Sequence, residues 1–300
     1  MTDFEDGPAL DQESEWALSS DEALDQELDR ALEMGDEGDW GEMAEYLRDT
    51  LDRYPGDPAV LCWLGVSELE LGMDGIAYEH FKACVAAEPT DPQLLAIAGS
   101  GLARFDDPAA ESTLRTAALT GQDMPCVRTM YGAYLSREGM FEDALREISA
   151  ALALAPDDPE ALTEWGVALA LSERLDEAVD AFSKAGAAAP EDGWARSLAG
   201  LVLVSLGRTE DALPDLLGAA DLRPEDVELA LLAALAASAS GEEDRAYELV
   251  ERARLRAISG DLPLVEAVSD QVEEGHEVAK ILLEEDLVTG ALRERLMTRP

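Results

Sequence analysis

Few residues in this chain have the types and spacing that chemistry needs. The two histidines, His80 and His276, stand in unrelated parts of the sequence. His80 directly precedes Phe81 in an amphipathic pattern and is expected to be a surface or packing residue. His276 is flanked by Glu273, Glu274 and Glu277, which could hold a weak ion site, although a solvated acidic face accounts for the same residues. Cys62, Cys84 and Cys126 are odd in number and form no CxxC, so no disulfide framework is implied. Cys84 occupies a slot suited to a small residue and is expected in a core. No G-x-x-x-x-G-K phosphate loop is present, and Gly99-Ser100-Gly101 lies inside a predicted helix, not between a strand and a helix. Asp36–Glu42 (DEGDWGE) has the acid density of a calcium loop, but Gly38 and Trp40 stand where later carboxylates belong and Leu47 where the closing glutamate belongs. With no convergent acid–base or nucleophile set, the expectation is a non-enzyme that holds no metal or cofactor.

Charge narrows the partners. The chain has 300 residues, 22 of them basic and 66 acidic, for a net charge of −44. Nucleic-acid binding rests on neutralising phosphates with lysine and arginine, so this balance excludes it and favours basic protein partners. Adaptation of a whole proteome to salt would give the same acid-rich composition, and only Lys82, Lys184 and Lys280 are lysines. The start, MTDFEDGPAL, is acidic where a signal peptide would be basic and then apolar. No apolar run approaches the ~20 residues that span a bilayer. A cytoplasmic protein without membrane insertion is expected. Residues 1–19 read as an acidic disordered tail. Phe4, Leu10, Trp16 and Leu18 are scattered among its acids, a pattern that suits either a docking peptide or a solubilising tail. Ser19-x-x-Glu22 is a capping box, where order should begin.

The elements behind these residues repeat. In Pro159–Pro190, Leu162, Trp165, Gly166 and Leu169 share one helical face, and Ala178, Phe182 and Ala185 share another. Pro190 ends the second helix, because proline lacks the amide and clashes with the preceding turn. Three columns extend this unit along the chain. One holds small residues: Ala31, Gly65, Gly99, Gly132, Gly166, Gly200 and Ala234. A second runs Met43, Ala77, Ala110, Ala144, Ala178, Ala212 and Ala246, and a bulky residue follows each of these by four: Leu47, Phe81, Leu114, Ile148, Phe182, Leu216 and Val250. Every step is 34 residues except one of 33, which places a one-residue deletion near Phe105–Pro108. Pro55, Pro89, Pro156, Pro190 and Pro224 keep the same register. A helix pair of this kind cannot bury its apolar face alone and needs neighbours.

Leu61-x2-Leu64-Gly65 with Ala77-x3-Phe81 and Pro89 resembles the tetratricopeptide repeat. So does Leu162-x2-Trp165-Gly166-x2-Leu169 with Ala178-x3-Phe182 and Pro190. The resemblance implies an all-α fold, a right-handed α-solenoid of about seven 34-residue helix-turn-helix repeats with a C-terminal helical cap. The expected units are 24–57, 58–91, 92–124, 125–158, 159–192, 193–226 and 227–260, followed by capping or docking helices over 261–300. In this family the first helix of each pair lines a concave groove. The positions flanking the glycine column then include Cys62, Val66, Thr129, Thr163, Val167, Ser197, Leu201, Leu231 and Leu235, with Trp194, Leu198 and Val204 nearby. Arg104, Arg128 and Arg137 are the basic exceptions. None of the flanking positions carries the lysine and asparagine that clamp a terminal carboxylate in some family members. What remains is a small, apolar groove with an acidic rim, suited to a basic-edged amphipathic helix or an extended segment. Packing by neighbouring helices or by the C-terminal segment would use the same periodicity.

Beyond the repeats, Leu262–Glu274 and His276–Leu287 are expected to be helices, and Ala291–Met297 is a basic-leaning amphipathic segment with Arg293, Arg295 and then Arg299. It suits a solubilising cap or a docking helix. The expected function is a non-catalytic adaptor or chaperone-like protein that binds a basic or amphipathic segment of a protein partner. A self-assembling scaffold, or an acidic mimic occupying a basic enzyme, are the alternatives.

Overall fold

The computed structural model describes residues 20–298. The acidic tail with its apolar residues, the Ser19 cap and Arg299 lie outside the described residues. The chain forms two compact units that divide between Thr113 and Leu114. The first holds α1 (Ser20–Asp36), α2 (Trp40–Arg53), α3 (Pro58–Glu70), α4 (Asp74–Ala86) and α5 (Pro92–Ala103). The division falls inside α6 (Ala109–Thr120). The second holds four further pairs: α7 (Pro125–Arg137) with α8 (Phe141–Leu154), α9 (Pro159–Leu171) with α10 (Leu175–Ala188), α11 (Gly193–Ser205) with α12 (Thr209–Leu222), and α13 (Val227–Ala239) with α14 (Glu243–Arg256). After them come α15 (Leu262–Glu274), α16 (His276–Ile281), a π-helical turn (Leu282–Leu287) and α17 (Val288–Met297). The described residues are all-α, and each unit is a length of α-solenoid in which a second helix packs against its own first helix and the first helix of the next pair.

The sequence columns are one packing contact used repeatedly. A Cβ placed on Gly65 would lie 2.6 Å from Phe81, on Gly132 2.4 Å from Ile148, on Gly166 2.5 Å from Phe182 and on Gly200 2.7 Å from Leu216. Each glycine therefore removes the bulk that the residue sixteen positions later fills. Gly101 serves the same end, since its Cβ would stand 2.4 Å from the other edge of Phe81. Phe81 is thus wedged between α3 and α5, and packing accounts for Gly101.

Local chemistry starts and stops the helices. The side chains of Asp57, Asp91, Asp158, Asp192 and Asp226 accept from backbone amides in the first turns of α3, α5, α9, α11 and α13, satisfying donors that a helix start leaves orphaned. Pro58, Pro92, Pro125 and Pro159 occupy first-turn positions where no amide is needed. The turns inside the pairs pass through a left-handed residue: Gly38, Gly72, Gly139, Gly207 and Gly241, with Asp106 and Glu173 in the same register. Asp106 is still in step with Gly72, so the one-residue deletion falls between Asp106 and Ala110. In the first pair, Glu27 on α1 accepts from Arg53 and Tyr46 on α2, and these partners hold its carboxyl down to about 2.

Two stability predictions follow from these contacts. Gly166→Ala should cost ~1–3 kcal/mol by overpacking against Phe182, and Phe182→Leu in the same chain should recover part of that loss. Urea unfolding of the two single variants and the double variant measures the coupling. Glu173, at φ 62°, carries a left-handed penalty that glycine lacks. Glu173→Gly should therefore raise stability by roughly 0.5–1 kcal/mol, net of the entropy glycine adds to the unfolded chain. A lowered melting temperature would contradict that account.

Candidate functional site

The expected groove residues fall in both units. Cys62, Val66 and Arg104 belong to the first. Cys62 is buried with its Sγ 3.7 Å from the Leu94 carbonyl oxygen, Val66 is half-buried and Arg104 is exposed. The adjacent Cys84 sulfur and then burial push the Cys62 thiol well up, so it stays protonated and acts as a packing group. Close by, Glu68 is buried and lies 3.1 Å from the Arg48 guanidinium and 2.6 Å from the His80 Nδ1, a polar network that ties α2, α3 and α4 together. The sequence patterns did not single out Glu68. Its place in α3 directly after the buried Ser67 and before Leu69 gave no distinguishing signal.

In the second unit most of the expected lining is covered. Thr129, Val167, Trp194, Ser197, Leu198, Leu201, Val204, Leu231 and Leu235 are all buried, while Thr163 is half-exposed. For the residues of α11 and α13 the physical reason is the C-terminal segment. α12 and α14 cover one side of α11 and α13, and α16, the π turn and α17 cover another. α15 packs on α13 and α14, closing the last pair, whereas α17 runs on across α11 and reaches α9. Val288, Ala291, Leu292 and Leu296 of α17 are buried in the same apolar core as Leu198, Leu201, Leu231 and Leu235. α11 and α13 accordingly are buried along nearly their whole lengths, as helices that are apolar on every side must be.

Charged groups fasten both ends of this arrangement. Arg295 of α17 is buried and donates to Glu228 at 2.6 Å and to both carboxylate oxygens of Asp226 at 3.2 Å. Arg137 of α7 makes a two-point pair with the buried Glu164 of α9, at 2.8 and 3.2 Å, and also donates to the Ala133 carbonyl. Arg128 pairs with Glu147 at 2.7 Å. Both arginines expected to line the groove in this unit are therefore held by the protein's own carboxylates.

A cleft lies at the starts of α9 and α11. It has a volume of about 320 Å³ and is lined by Pro159, Glu160, Thr163, Glu164, Ala189, Asp192 and Trp194. The Trp194 indole, with the Arg223 guanidinium 5.3 Å from its ring centre, gives it an apolar surface. Glu160 and Asp192, which caps α11 through the Trp194 amide, add carboxylates to it beside the Arg137-paired Glu164. Such a cleft has the chemistry to receive a cationic head on an apolar stem.

The Arg137–Glu164 pair has a testable consequence. Glu164→Ala alone strands a buried guanidinium and should cost about 3 kcal/mol, whereas Arg137→Met with Glu164→Leu should fall near wild type. Urea midpoints of the three chains decide it. A double variant as unstable as the single one would show that the charges themselves hold α7 to α9.

Comparison with known proteins agrees with this architecture. Residues 132–193 match the tetratricopeptide repeat family. No curated protein matches the chain. Among solved structures, the anaphase-promoting-complex heterotetramer Cut9–Hcn1 is similar at 17% identity and a TM-score of 0.64, over 81% of this chain and 48% of that one. A tetratricopeptide repeat protein from Parabacteroides merdae ATCC 43184 is similar at 13% identity and 0.57, over 86% and 98%. PilW, a type IV pilus biogenesis factor, is similar at 19% identity and 0.55, over 67% and 92%. At these identities the likeness is one of fold: residues 132–193 match tetratricopeptide repeats, and the columns on either side of them continue the same helix-pair packing.

Proposed function

We propose that this protein is a non-catalytic adaptor, or a chaperone-like holder, that binds a basic segment of a protein partner along the first helices of its second unit. Stacked helix pairs are interaction scaffolds, and protein partners follow from the fold. The observation that carries the choice of site is the acid-rimmed cleft between α9 and Trp194, beside the strip that α17 covers. Thr163 and an edge of Trp194 line this cleft, and a lysine or arginine of the partner would enter it toward Glu160 and Asp192. The net charge of −44 would steer a basic partner toward it, and screening over ~8 Å at physiological ionic strength would weaken that steering. No helix among the described residues is long and apolar enough to cross a membrane. The binding face is therefore taken to meet protein.

Selection from a displayed library of random 15-residue peptides tests this. Wild type should enrich peptides with clustered lysine or arginine, and their affinity should fall about tenfold or more between low and high salt. Glu160→Arg should abolish the enrichment while leaving helical content unchanged. Peptides without a basic bias, or peptides that the variant retains, would remove the cleft from consideration.

A further inference from the structure

The segment that covers α11 and α13 itself reports what those helices bind. We propose that the helix formed by α16, the π turn and α17 is an exchangeable occupant of the first-helix face. The partner it yields to is an amphipathic helix with the same chemistry: apolar residues at i, i+4 and i+8, and an arginine at i+7. This rests on the proposal that partners bind the first helices of the second unit, and it names a class of partner for the covered part of that face.

Four observations carry it. First, the segment lies on the face rather than at the end of the stack. α15 already closes the last pair, yet α17 continues across α11 to α9. Second, its contact pattern is that of a helix laid in a groove. Val288, Leu292 and Leu296 are buried at intervals of four, and Arg293, next to them in sequence, is exposed. Third, its anchor is a specific one. Arg295 donates to Glu228 and to Asp226, which already caps α13 through the Leu229 amide, while its Nε is left without a partner. Such a pair fixes register, and removing the arginine leaves its carboxylate partners uncompensated. Fourth, the segment is not an ideal fit. Its helix widens into a π turn at Leu282–Leu287, where Glu284 accepts from Thr209 of α12, and only Gly275, at φ 110°, joins it to α15. A π turn inside an α-helix is a rare, accommodated distortion.

The covered face cannot stand open, because α11 and α13 are apolar on every side. Displacement is therefore an exchange of one helix for another. Within the chain the resident helix competes at an effective concentration of the order of millimolar, so a partner must match its chemistry closely to replace it. A basic amphipathic helix entering an acidic protein meets both requirements, and Asp226 and Glu228 supply the counter-charges that the resident arginine vacates.

The test uses the full chain and, as probe, a fluorescein-labelled synthetic peptide of residues 276–298. Arg295→Gln weakens the resident helix and leaves the acidic receptors intact. The probe should bind this variant at least tenfold more tightly than wild type, and a probe carrying the same substitution should lose at least tenfold. Hydrogen exchange on the unaltered wild type gives a second readout, independent of whether the variant folds well. Amides of α16 and α17 should exchange at least tenfold faster than those of α11 and α13. Equal protection of all four helices, or failure of the probe to bind the well-folded variant, would make the segment a fixed part of the core and overturn the proposal. Enrichment of basic peptides that depends on Glu160 would be unaffected by that outcome, so the two proposals fail separately.

Discussion

A helix that is apolar on every side must be covered on every side, and the second unit is organised by how α11 and α13 meet that requirement. Their partners in the pairs, α12 and α14, reach only part of their circumference. Burying a Leu or Val side chain is worth ~1.5–3 kcal/mol, so an uncovered strip along Leu198, Leu201, Leu231 and Leu235 would be a large loss. The C-terminal helices close that strip with Leu283, Val288, Leu292 and Leu296. The glycine contacts serve the same requirement on the other side: Gly200 lets α12 approach until Leu216 fills the gap. Close approach within pairs and coverage across first helices are two solutions to one constraint.

Charge is distributed by the same logic. Three arginines are spent on carboxylates where helices pack, Arg128 on Glu147, Arg137 on Glu164, and Arg295 on Asp226 and Glu228. Acidic residues outnumber basic ones 66 to 22, so this internal use leaves the surplus on the surface. A net charge of that size opposes compaction by self-repulsion and favours solubility, and its field attracts cations. An acidic exterior and arginine-pinned joints are thus a single arrangement, in which each buried cation neutralises carboxylates that structure requires and the rest face outward.

The repeat was legible because it rests on residues whose types are forced. Only glycine fits without a shift where Phe81, Ile148, Phe182 and Leu216 press, and only a residue tolerant of φ near 70° fits the turns at Gly72, Gly139 and Gly207. The aspartate caps before α3, α5, α9, α11 and α13 keep the same register and were equally available, although the columns of small and bulky residues carried the identification. Coverage of the groove was harder to see. Residues that line a groove and residues that pack a core recur with one period, so Leu201 or Leu235 alone distinguishes nothing. Burial of Arg295 was masked in the same way, since a basic amphipathic helix reads as a surface element until its carboxylate partners, nearly seventy residues earlier in the chain, are brought beside it.

A distinguishing signal did exist, in whole helices rather than single positions. α11 (GWARSLAGLVLVS) and α13 (VELALLAALAASA) have almost no polar stripe, whereas α9 (PEALTEWGVALAL) carries Glu160, Thr163 and Glu164 on its first turns. The resident helix covers the former two and only touches the third. Coverage therefore stops where the first helices become polar, and the acid-rimmed cleft lies at the starts of α9 and α11. Had α17 been a mere cap, the polar transition would belong at the end of the stack, beside α13. Its place at α9 means that the sequence encodes two adjoining stretches of one face, an apolar strip that is never bare and a polar cleft that is. A basic amphipathic helix longer than α17 could engage both in one continuous contact.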